Sequence, residues 1–147
     1  MSTNLNQVLH SPPVPVANSS TKALIVRWGG HEELFQSGFV GVPEAFLRHY
    51  ANLKPYSLTV GEAMFVLQLM TFKWTADSPF PSYKRLAQRM GLTDKMVRRY
   101  AAHLEQKRYL KRQARTGQSN SFDLTPLFTT LASAIRNETK SSAEGRA

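Results

Sequence analysis

The chain contains no cysteine. That excludes disulfides, thiolate zinc sites and a cysteine nucleophile together, and it fits a reducing compartment. Histidine is also sparse: His10, His31, His49 and His103 lie far apart, and no pair has metal-ligand spacing. His31-Glu32-Glu33 lacks the second histidine that a zinc motif needs. Gly29-Gly30 lacks the pattern of a phosphate-binding loop, and no Ser/His/Asp set assembles from the sequence. No catalytic residue, metal ligand or cofactor is therefore expected, and the chain does not read as an enzyme.

Long apolar runs are missing too. The most apolar stretch, Ala63 to Trp74, is interrupted by Gln68, Thr71 and Lys73. It is too short to cross the roughly 30 Å of a bilayer core, so it reads as a core helix with no membrane role. No basic segment precedes an apolar run at the N-terminus, so no signal peptide is visible and a cytoplasmic protein is expected. At 147 residues, one domain with a real core is expected.

Acid is nearly absent from one stretch. Between Lys84 and Arg115 there are eleven Lys/Arg and only two acids, Asp94 and Glu105, a local charge of +9. The remaining eight basic residues are balanced by eight acids. The whole net charge is therefore local, and a local basic face makes a sharper statement about a partner than a high isoelectric point does.

Residues 1–20 read as a flexible arm, and residues 21–136 as the domain. Ala23-Leu24-Ile25-Val26 reads as a short isolated strand ended by Trp28-Gly29-Gly30. Pro43 suits the first turn of a helix reaching about Leu53, with Phe46, Leu47, Tyr50 and Ala51 on one side. Thr59 and Glu62 make a capping box for the apolar helix carrying Phe65, Val66, Leu69, Met70 and Phe72. Residues 76–81 are a loop. Trp28 and Trp74 are expected in the core. Residues 137–147 read as a flexible tail.

Within the basic stretch, Ser82 caps a short helix, Gly91 breaks it, and Thr93 caps a longer one running to about Lys107. Ala87 is small where two crossing helices approach, and Leu86, Met90, Leu92, Val97 and Tyr100 fall inside the corner. Residues 82–107 thus read as a helix-turn-helix. Its second helix has an inner face of Met96, Val97, Tyr100, Ala101 and Leu104. Its outer N-terminal face carries Thr93, Asp94, Lys95, Arg98 and Arg99, placed for DNA. Recognition helices put such residues at base edges in the major groove. Arg98 or Arg99 suits bidentate contact to guanine, Lys95 a base or phosphate, and Thr93 a phosphate. Ser82, Lys84, Arg85 and Arg89 on the first helix are expected to hold the backbone. His103 contacts DNA or is only solvated.

Two strands follow around Thr116-Gly117-Gln118, which makes residues 109–124 a wing. Lys111, Arg112, Arg115, Gln118 and Asn120 are its expected DNA contacts. The competing reading is a surface hairpin whose charges only keep it soluble. Pro126 opens a last helix, residues 126–136, with Leu127, Phe128, Leu131 and Ile135 on one face. That face either packs on its own domain or forms a homodimer. The fold class is mainly α with a small β-hairpin, a winged helix-turn-helix with N- and C-terminal helical extensions.

The stretch from Phe80 to Leu127 resembles the bacterial winged-helix family found in plasmid replication initiators and small helix-turn-helix DNA-binding proteins. The matching pieces are Pro81-Ser82, Leu86-Ala87, Met90-Gly91-Leu92-Thr93, Val97-Arg98-Arg99, Leu104-Glu105, Tyr109-Leu110 and Ser121-Phe122-Asp123-Leu124. Gly38 to Leu53 resembles the lead-in of such proteins. One departure is Lys107-Arg108, where these domains often carry glycine before the first wing strand.

The leading expectation is a sequence-specific binder of double-stranded DNA in transcription control, associated with the nucleoid. The alternative is a replication-initiation or mobile-element accessory protein using the same DNA chemistry. A third reading is a winged-helix protein-interaction module, against which the dense outer Lys/Arg argue.

Overall fold

The computed structural model describes residues 19–72 and 78–145. The expected arm over residues 1–18, Trp74 and part of the loop before Pro81 lie outside them. The chain divides into two compact units, Met1–Gly41 and Val42–Ala147.

In the first unit, α1 spans Ser19–Arg27 and a 3-10 turn spans Glu32–Leu34. The expected strand at Ala23–Val26 is thus a helix. A strand needs an edge to pair with, and the sheet among the described residues has only two strands, both in the wing. A helix satisfies its own backbone. It closes in a Schellman motif: Gly29 sits at φ +97°, and the Gly30 N–H donates to the Ile25 carbonyl at 3.0 Å. Trp28 is exposed rather than buried, contrary to expectation.

The second unit contains α2 (Glu44–His49) continued by a 3-10 turn (Tyr50–Asn52), α3 (Val60–Met70), α4 (Tyr83–Met90), α5 (Asp94–Gln106), β1 (Lys111–Arg115), β2 (Gln118–Asp123) and α6 (Thr125–Glu144). Helix α3 is central. Its Phe65, Val66 and Leu69 are fully buried, and α4 and α5 both pack on it. The capping box forms as expected: the Glu62 N–H donates to Thr59 Oγ1, and the Thr59 N–H donates to Glu62 Oε1. Leu86 and Ala87 of α4, and Val97, Ala101 and Leu104 of α5, complete the inside of the corner. Full burial of the leucine, valine and phenylalanine side chains among these contributes roughly 1.5–3 kcal/mol each. Leu47 of α2 and Met96 of α5, both expected on apolar inner faces, are exposed.

Helix α4 is capped by Ser82, which accepts from the Arg85 N–H at 3.1 Å. It ends at Gly91, φ +65°. Thr93 caps α5. At the other end of α5, Arg108 takes φ +62° at the position where glycine is ordinarily found. The Arg108 N–H donates to the Glu105 carbonyl and the Tyr109 N–H to the Leu104 carbonyl, a Schellman motif that turns the chain into the wing. Buried Tyr109 then donates its hydroxyl to the Tyr56 carbonyl at 2.6 Å and accepts from the Tyr56 N–H at 3.1 Å.

The wing is an antiparallel pair in which Arg112 faces Phe122 and Gln113 faces Ser121, with a register shift before Arg115. The Phe122 N–H reaches outside the hairpin to the Pro79 carbonyl at 2.8 Å. Helix α6 runs to Glu144, past residue 136 where apolar spacing ends. The Thr130, Ser133 and Thr139 hydroxyls donate to carbonyls four residues earlier, and His49 of α2 pairs with Glu138 at 3.5 Å. The expected homodimer face of α6 needs correction. Leu127 and Leu131 are buried in the domain's own core, and Phe128 and Ile135 are half-buried against it. Phe128 meets Phe46 of α2 with ring centroids 6.3 Å apart. No helix among the described residues is long and apolar enough to cross a membrane.

Candidate nucleic-acid interface

The two caps that start α4 and α5 set the site. Each exposes a helix N-terminus beside the wing, and an open cleft of about 640 Å³ lies between them. Ser82 and Lys84 of the first helix, Asp94 and Arg98 of the second, and Gln118 and Asn120 of the wing all line it. Residues singled out on three separate elements therefore share one concavity. Lys95 and Arg99 are exposed on α5 outside this lining, as is Lys111 on β1. The Thr93 hydroxyl oxygen accepts the Met96 N–H at 3.2 Å, a bond that uses a lone pair and not the O–H a phosphate would take.

At the centre stands a residue outside the expected set of DNA contacts. Tyr83 lies edge-to-face on Phe122, ring centroids 5.8 Å apart. The Arg98 guanidinium carbon sits 4.5 Å from the Tyr83 ring centroid. The Tyr83 hydroxyl accepts from Arg112 at 2.5 Å and from Asn120 at 3.5 Å.

Several expected backbone contacts are already engaged within the fold. Arg112 is half-buried and ion-paired with Glu105 as well as bonded to Tyr83. Burial lowers its pKa, but Tyr83 and Glu105 outweigh that, and the net shift is upward. Held this way, Arg112 ties β1 to Glu105 of α5 and to Tyr83 of α4. Arg85 and Arg89 both stack on Phe72, at 5.0 and 4.7 Å from its centroid, and Arg89 donates to Thr71 Oγ1 at 2.6 Å. Burial, and then the charge of Arg85, pull the Arg89 pKa down. Arg115 stacks on Phe80 at 4.4 Å. Lys107 turns inward to Glu62, while His103 is exposed. Of the two acids in the basic stretch, Glu105 was the available signal for an internal pair.

Among the described residues, no group of His, Cys, Asp or Glu is placed to hold a metal ion. The site holds donors, stacked guanidiniums and one exposed carboxylate, a set suited to recognition. Against protein families, residues 42–142 match the DnaD N-terminal domain. The chain belongs to the DnaD N-terminal domain family. The match begins where the second compact unit begins, and it covers α2 to β2 whole and α6 as far as residue 142. The DnaD N-terminal domain is a non-catalytic replication domain. No curated protein matches the chain.

Proposed function

We propose that this chain binds double-stranded DNA in the initiation of replication, with α5 in the major groove and the wing along the backbone. Membership of the DnaD N-terminal domain family favours this over the transcription control expected from the sequence. The observation that carries DNA binding is the shared cleft, where Lys84, Arg98, Gln118 and Asn120 converge from three elements. Around it, Lys95, Arg99 and Lys111 are exposed cations with no internal ion pair among the described residues. Arg98 and Asp94 supply a donor and an acceptor for base edges.

The test is binding to duplex DNA across a salt series. Neutralising about six phosphates gives a log–log slope of about −5 and a roughly thousandfold loss from about 50 to 200 mM salt. Binding indifferent to salt would remove the electrostatic basis. Depletion in the native host separates replication from transcription. The expected result is a fall in origin-proximal marker frequency, and an unchanged frequency would exclude the replication role.

Self-association belongs to the same reading. With α6 facing inward, we take the surface to lie in the first unit, where Val26, Trp28, Leu34 and Phe39 are exposed. Trp28→Ser is expected to shift sedimentation toward a smaller species, and an unchanged profile would eliminate this surface.

A further inference from the structure

The contacts of Tyr83 span more of the cleft than those of any residue assigned above. Its ring is fixed from within, because Phe122 is buried and itself packs edge-to-face on Phe65 at 6.2 Å. That fixed ring carries Arg98 on α5. The hydroxyl holds Arg112 on β1 and Asn120 on β2. Arg112 returns to α5 through Glu105. One side chain of the first helix thus touches the recognition helix and both strands of the wing.

An exposed arginine ordinarily samples many rotamers, and ordering it on binding reduces affinity. A carboxylate is the usual restraint, and Asp94 lies one turn before Arg98 on the same helix. Yet Asp94 makes no ion pair among the described residues, and Arg98 lies over the ring instead. The distance is inside the roughly 6 Å reach of a cation–π interaction. The ring therefore orders Arg98 without neutralising it, and leaves the Asp94 acceptor unoccupied in the cleft.

We infer that Tyr83 is a positioning residue with two separable parts: its ring pre-orders Arg98 for base readout, and its hydroxyl fixes the wing through Arg112 and Asn120. This rests on the DNA-binding reading, and the experiment separates the two. Tyr83→Phe keeps the ring and removes the hydroxyl, while Tyr83→Leu removes both.

The first measurement needs no DNA. The Arg98 Nε–Hε signal, assigned by its loss in Arg98→Lys, should show a ring-current shift in the wild-type chain and in Tyr83→Phe. It should move to the random-coil position in Tyr83→Leu. An unmoved signal overturns the link between ring and arginine, whatever DNA does. Should Tyr83→Leu fail to fold, pentafluorophenylalanine at position 83, compared with Phe, keeps the shape and removes the negative ring face. Retention of the Arg98 rotamer distribution in that variant overturns the same link.

The second measurement uses a duplex selected from random sequence and a scrambled control. Arg98→Ala should weaken the selected duplex about tenfold in the wild-type and Tyr83→Phe backgrounds, but only about twofold with Tyr83→Leu. Tyr83→Phe alone should weaken both duplexes about equally, by three- to tenfold. The same Arg98→Ala loss in every background overturns the ring's role, and full affinity in Tyr83→Phe overturns the hydroxyl's. If the wild-type chain bound no duplex, the DNA-binding reading would fail on its own, with the Arg98 signal still deciding whether Tyr83 holds it.

Discussion

The Lys107 ammonium lies 2.7 and 2.9 Å from the two carboxylate oxygens of Glu62, a side chain only 1% exposed, and 2.9 Å from the Ser57 carbonyl. This pair fixes the end of α5 to the start of α3. It takes the most inward cation of the basic stretch out of any role at the surface. Burial pushes the Glu62 carboxyl up, but hydrogen bonds from Lys107 and Thr59 outweigh it and hold it below its ordinary value of 4.5.

The sign of the pH effect follows. A carboxyl depressed in the folded state stabilises the fold fully above its unfolded value, and that contribution is lost as pH falls through the folded value. Urea unfolding from pH 7 to pH 3 should show wild-type stability falling below about pH 4.5 by more than Glu62→Gln falls. Equal falls would show that Glu62 is not the linked group. Lys107→Ala leaves the buried carboxylate without its counter-ion and should cost about 3–5 kcal/mol at pH 7.

Arg108 gives a prediction of opposite sign. It holds φ +62°, a left-handed conformation that β-carbon crowding disfavours. The two Schellman hydrogen bonds come from the backbone, so glycine keeps both. Arg108→Gly should raise the urea midpoint by an amount equivalent to about 1 kcal/mol, with an unchanged m-value. A lower midpoint would mean that the Arg108 side chain makes a contact worth more than the backbone strain.

That position also shows how far the sequence could be read. The missing glycine before the wing was visible, but the chain makes the same turn without it, because the turn's hydrogen bonds use only main chain. The caps at Thr59, Ser82 and Thr93 were legible because each needs one residue type at one spacing. So were the core of α3 and the corner of the helix-turn-helix, set by apolar periodicity. Partner choice among cations was not legible. Arg112 and Lys95 carry the same charge in sequence, and only the fold places Glu105 and Tyr83 beside one of them. The short run at Ala23–Val26 had a strand's composition but, among the described residues, no edge outside the wing to pair with. Tyr83 had no signal beyond being an aromatic at a helix start.

Gly61 explains how closely α3 and α5 approach. A β-carbon there would stand 2.3 Å from the Tyr100 hydroxyl oxygen and 2.6 Å from the adjacent ring carbon. Gly61→Ala must therefore displace Tyr100, and should destabilise by about 1–3 kcal/mol in spite of alanine's better helix propensity. Adding Tyr100→Ala removes the obstruction, so the double variant should be less destabilised than the sum of the singles. Strict additivity would show that the two helices relax apart instead.

Lys111 and Arg112 are adjacent cations on β1 with opposite exposures, and they divide binding from stability. Lys111 is exposed with no internal ion pair among the described residues, whereas Arg112 is shared between Glu105 and Tyr83. Lys111→Ala should leave the melting curve unchanged, weaken all duplexes evenly, and reduce the salt slope by about 1. Arg112→Ala should cost about 1–2 kcal/mol of stability, since it removes a half-buried, charge-assisted pair and leaves Glu105 without its cation. Its salt slope should stay near the wild-type value, because an arginine already neutralised by Glu105 releases few counterions from DNA. A salt slope lowered by Arg112→Ala as much as by Lys111→Ala would show that Arg112 leaves Glu105 for phosphate on binding, and that the wing reorients against α5.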